Sequence, residues 1–149
     1  ECQVLDSFGK ATDKMTAHDH GGIIRTVGPT KNMSKKPGEW NKMIVTCKGY
    51  HLKVNLNGEE IVDIQLNETP VKDRPLEGYI SLQDHGEPNN LHFRNIKIKE
   101  IKKQLSSPQK SDNNSALQAL AAEWRTLIFD RSREDVRNLC FVNINMEFM

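Results

Sequence analysis

Between residues 43 and 66 apolar and polar positions alternate with the period of a half-buried strand. Met43 to Cys47 is a β-rich run that ends at Lys48-Gly49. Leu52, Val54 and Leu56 then alternate with Lys53 and Asn55, and a second alternation runs from Ile61 to Leu66. Asn57-Gly58 stands between them. A type I′ turn needs positive φ at both central residues, which Asn-Gly tolerates best, so a hairpin is predicted here. Farther along, Gly78 to Gln83 puts Ile80 and Leu82 on one face and Tyr79, Ser81 and Gln83 on the other. Leu91 to Ile101 sets Ile96 and Ile98 against Lys97 and Lys99. Short strands separated by Gly, Asn and Pro predict an all-β fold, an antiparallel sandwich or jelly roll.

The pattern changes near residue 104. Residues 105–114 are polar and read as a linker. Ser115 can cap a helix over 116–128, where Leu117, Leu120, Ala121, Trp124 and Ile128 recur at helical spacing. Phe141 to Phe148 alternates again and predicts a last strand. The expected division is a β-sandwich over 1–104, the linker, and a helix and strand over 115–149.

Composition narrows the function. Lys plus Arg is 21 and Asp plus Glu is 20 in 149 residues, a net charge of +1. That balance creates no field that would draw nucleic acid or an anionic membrane. No apolar run reaches the roughly 20 residues that a helical membrane span needs. Hydrophobic residues are 36% and aromatics 6%, so the core is modest and polar loops are extensive. Cys2, Cys47 and Cys140 lack metal-ligand spacing, and Cys2 and Cys47 read as small strand hydrophobes. The Lys97, Lys99, Lys102 and Lys103 cluster reads as a solvated strand face.

Several segments, taken in order, resemble one family. They are Glu1 to Ser7, Gly21-Gly22-Ile23, Val27 to Met33, Lys36-Pro37-Gly38-Glu39-Trp40-Asn41, Leu56-Asn57-Gly58, Leu82-Gln83-Asp84-His85-Gly86 and Phe93-Arg94-Asn95-Ile96. Over residues 1–101 the chain resembles the 3-keto-disaccharide hydrolase domain family. The resemblance implies a concanavalin A-like β-sandwich whose concave sheet face binds sugar. It also implies, for some members, cleavage of glycosides oxidised at carbon 3, a divalent metal, and a periplasmic or secreted location.

The family's domain opens with strands upstream of the segment that begins at Glu1, so the sandwich is expected to be incomplete at its N-terminus. Trp124 to Asp130 is similar to the family's opening segment, and Asn143 to Phe148 to one of its early strands. Two readings follow. In the preferred one the chain spans the junction of tandem domains, with a further copy of the domain as partner. In the other the tail folds back and replaces the missing strands.

Candidate chemistry falls on few residues. Glu1 and Gln3 share one face of the first strand, where a carboxylate can act as base or hydrogen-bond a sugar. Gln83 and His85 face away from Ile80 and Leu82, and an imidazole can exchange a proton near neutral pH. The resemblance makes Glu1 and His85 the catalytic candidates and Gln3, Gln83, Asp84, Lys31, Trp40 and Arg94 the substrate-binding ones. Bland roles compete: Asp84 can stabilise a turn, Trp40 can be buried, and Lys31 and Arg94 can be surface charges. His18-Asp19-His20 supplies two imidazoles but no third ligand. Relatives carry one His at the place of His18, the metal candidate, so His20 is a departure. Ile24 stands where relatives often have a sugar-stacking aromatic. The resulting expectation is a carbohydrate-active hydrolase or lyase. The alternatives are a noncatalytic carbohydrate-binding module of the same fold and a two-carboxylate glycosidase.

Overall fold

The computed structural model describes residues 1–75, 78–83, 91–101, 125–126 and 141–149. Alternation in the first half becomes three strands: β1 (Asn41–Lys48), β2 (His51–Leu56) and β3 (Glu59–Gln65). Antiparallel register sets Met43 opposite Leu56 and Val45 opposite Val54, and all four are buried. Asn57 and Gly58 have φ of 55° and 98°, the paired positive values that the predicted turn requires.

β3 carries an extra residue. Val54 lies opposite Val62 and Asn55 opposite Glu60, so Ile61 bulges, and Ile61 and Val62 are both buried despite being neighbours. The Ile61 carbonyl accepts from the Thr30 backbone N–H at 2.9 Å, which ties residues 1–40 to the sheet.

The last strands complete one six-stranded sheet. β4 is Phe93–Glu100, β5 is Arg125–Thr126 and β6 is Phe141–Phe148, in the order β3-β2-β1-β6-β4-β5. β6 is therefore internal: it pairs antiparallel with β1 over eight residue pairs and with β4 on its other side. A bulge interrupts the β4 pairing between Arg94 and Lys97, where Asn95 takes φ of 54°. Asparagine tolerates this left-handed backbone.

Across one face lies the N-terminal segment. Ile23 packs with Met43, Val54, Leu56, Ile61 and Phe148, and Cys2, Val4 and Val27 pack against them. The fold is thus all-β and matches a partial β-sandwich. Its described helices are two 3₁₀ turns, Thr12–Lys14 and Leu66–Glu68. Among the described residues no helix is long and apolar enough to cross a membrane.

Two expectations differ from the structure. Gly78 to Gln83 forms no strand, although Ile80 and Leu82 are half-buried and Tyr79, Ser81 and Gln83 exposed. Alternation reports a half-buried extended segment, not a ladder partner. Arg125 and Thr126, placed in the expected helix, instead pair with Ile98 and Lys97. A strand edge on β4 here overrides helical spacing. The rest of that helix and the linker over 105–114 lie outside the described residues.

Phe148 is 2% exposed and anchors β6 in the core. Phe148→Ala is expected to cost about 3–5 kcal/mol in a denaturant titration. An unchanged midpoint would show that the sheet does not rest on this strand.

Candidate functional site

The chain's first residues are held by a short ladder. Gln3 N–H donates to the Gly22 carbonyl at 2.8 Å, Gly21 N–H to the Gln3 carbonyl at 2.8 Å, and Ile24 N–H to the Glu1 carbonyl at 3.1 Å. The expected first strand is reduced to an isolated antiparallel bridge between Cys2 and Ile23, and Cys2 and Val4 pack against the core. Gly21 sits at φ +80°, and a Cβ there would collide with Ile61 Cδ1. Only glycine lets this strand lie so close to the β3 bulge.

Glu1, Gln3 and Gln83 line one cavity of about 540 Å³. Its wall is completed by Lys36, His20 and Phe148, among others. Three sequence-predicted residues, the farthest at position 83, therefore converge on one space. Asp84 and His85 lie outside the described residues.

The other candidates lie elsewhere. Arg94 Cζ sits 3.8 Å from the centre of the Trp40 ring, and Arg94 Nε donates to Glu147 Oε2 at 2.7 Å. Asn95 Nδ2 donates to the same oxygen at 3.1 Å. Arg94 and Asn95 together hold the Glu147 carboxyl below its ordinary pKa. These side chains join β4, β6 and the start of β1, and neither Trp40 nor Arg94 lines the cavity. Lys31 pairs with Glu59 at 2.8 Å, both well exposed, beside the β2–β3 turn. His18 is exposed.

A buried carboxylate organises the loop that brings His20 to the cavity. Asp19 accepts from Lys10 Nζ at 2.6 Å, Thr16 N–H at 2.7 Å, Thr16 Oγ1 at 2.9 Å and Ser7 Oγ at 3.1 Å. Ser7 Oγ in turn accepts from the His20 backbone N–H at 3.1 Å. Burial works to raise the Asp19 carboxyl, but the bonds from Lys10, Thr16 and Ser7 outweigh it and hold it at about 2. Burial pushes His20 down to about 4, which leaves its ring neutral at neutral pH. The Cys2 thiol is pushed up to about 12 by burial, so it packs as a hydrophobe, as its place in the strand led us to expect.

Sequence reasoning overlooked Lys36, which lines the cavity from the Pro-Gly turn before β1, and it weighed His20 only as half of a His-x-His pair and as a departure from relatives. Lys36 had no spacing signal, because a loop rather than a strand delivers it. Among the described residues no three His, Cys, Asp or Glu side chains come together as a metal site. The described residues thus do not fit the divalent metal that the resemblance implies.

Against known protein families, the 3-keto-alpha-glucoside-1,2-lyase-like domain matches residues 1–99. The chain belongs to this family. No curated protein and no solved structure matches it. The matched region of this lyase-like domain supplies Glu1, Gln3, His20, Lys36 and Gln83, whereas Phe148 enters the cavity wall from outside the match.

Asp19 gives the loop a pH dependence. A carboxyl held at about 2 rather than 3.8 contributes stability in full above pH 4 and loses it as pH falls toward 2. Asp19→Asn is therefore expected to melt several degrees below the parent chain at pH 7, with the gap closing near pH 2. Equal melting temperatures at pH 7 would contradict this role.

Proposed function

We propose that this domain cleaves glycosides carrying a ketone at carbon 3, with the sugar held in the cavity shared by Glu1, Gln3 and Gln83. The placement of those three residues on one cavity, in a chain of the lyase-like family, carries the reading. A ketone at carbon 3 acidifies the hydrogen on carbon 2. The Glu1 carboxylate takes that proton, and the C–H electrons first become an enolate. As the enolate collapses, a double bond forms between carbons 1 and 2. The bond from carbon 1 to the aglycone oxygen breaks, and that oxygen takes up a proton as it leaves. Water then adds at carbon 1, and carbon 2 regains a proton. Lys36, on the same wall, supplies positive charge against the developing enolate. The amides of Gln3 and Gln83 donate to and accept from sugar hydroxyls, and Val4, Leu5, Leu91 and Phe148 give the wall apolar surface beside them.

The test compares methyl 3-keto-α-glucoside with methyl α-glucoside, each with and without chelator. Turnover of the keto sugar alone is expected, and Glu1→Gln should lower kcat by roughly 100-fold or more while leaving the fold intact. Equal turnover of the unoxidised glucoside would replace elimination by a two-carboxylate mechanism. Binding of both sugars without turnover would make the domain a carbohydrate-binding module.

A further inference from the structure

His20 is 3% exposed, and its Nε2 is the one buried side-chain polar atom among the described residues that has no hydrogen-bond partner. The other buried polar side chains are satisfied: Ser7 and Asp19 bond each other, and Asn41 Oδ1 accepts from the Lys35 N–H. A buried polar atom left unpaired forfeits its hydration with no return, so a site that keeps one has a use for it or fills it with a visitor.

The rest of the imidazole is fixed. Its Nδ1 lies 3.0 Å from Ser34 Oγ, its backbone N–H donates to Ser7 Oγ, and its ring centre lies 5.0 Å from that of Phe148. Ser34 and Phe148 hold the ring and Ser7 holds the backbone beneath it, and Nε2 is left without a partner. That ring belongs to the wall of the cavity lined by Glu1, Gln3 and Gln83. Because the ring is neutral, Nε2 is either a donor or an acceptor, according to which way the Ser34 hydroxyl points. A sugar hydroxyl can meet either form.

We propose that His20 is a ligand-binding residue of this cavity, its Nε2 hydrogen-bonding an oxygen of the bound sugar; the inference rests on the cavity's being the sugar site. Less than 1 Å² of Nε2 is open, so the contact requires the side chains that cover it to give way.

The full chain is titrated with 1,5-anhydro-3-keto-glucitol, a keto sugar with no leaving group at carbon 1. Long-range proton–nitrogen spectra follow the histidine rings, and side-chain amide signals follow Gln3 and Gln83. The expected result is a shift of His20 Nε2 and of the Phe148 ring protons with the same Kd as the two amides. His18 and His51, which are not in the cavity wall, stay still. His20→Phe keeps a ring against Phe148 but removes the nitrogen, and should weaken binding about tenfold. His20→Gln restores a polar nitrogen and should recover most of the loss. Circular dichroism melts establish that both variants are folded, and the spectra of the unsubstituted chain carry the test if either is not. Movement of Gln3 and Gln83 with a silent His20, and unweakened binding by His20→Phe, would overturn the role of His20 while leaving the sugar site standing. If the probe moved neither the amides nor His20, the sugar site itself would fall, and the His20 contact with it.

Discussion

The double pairing of β6 is the constraint on which the rest of the molecule depends. β1 and β4 are not neighbours; each bonds to β6, so the β1–β3 meander and β4 form one sheet only through it. A sheet opened at that seam would present two unpaired edges, the kind of surface that recruits other strands. The seam is fastened on both faces. On the core face Phe148 packs with Met43 and Ile23. Away from it Glu147 meets Arg94 and Asn95 at the β4 bulge, and Arg94 stacks on Trp40. The Arg94–Glu147 bond lies in partly exposed surroundings and on its own adds little. Its value is registration, because it fixes which residue of β6 faces the bulge.

From that sheet the cavity is assembled by loops rather than strands. Thr30 grips the Ile61 bulge, Gly21 lets the chain pass close above it, and Asp19 gathers Lys10, Thr16 and Ser7. These contacts bring the Glu1–Gln3 segment and His20 to one space, with Phe148 as its shared wall. The strand that closes the fold thus also shapes the cavity, through the one side chain of Phe148.

Much of this was legible in the residues. The Asn57-Gly58 turn and the alternation at 43–66 reported the first three strands because a two-residue period and paired positive φ are local properties. Glu1, Gln3 and Gln83 were named through alternation combined with family resemblance, and the three line one cavity. Trp40 and Arg94 were named for sugar binding, and their mutual stacking was not visible, since pairing between a pre-strand tryptophan and a residue more than fifty positions away leaves no local trace. The same holds for β5, where two residues with helical neighbours take strand geometry from the edge of β4. His20 was noticed as half of a His-x-His pair and as a departure, because its burial and the unpartnered nitrogen leave no local trace.

The central claim is that β6 is an internal strand, and amide hydrogen exchange on the intact chain tests it most directly. Amides of residues 141–148 that are bonded to β1 or β4 should exchange as slowly as those of 41–48. Both sets should open together, since one cannot leave the sheet without breaking the other's ladder. Rapid exchange of 141–148 at the rate of an unstructured peptide, with 41–56 still protected, would contradict the account.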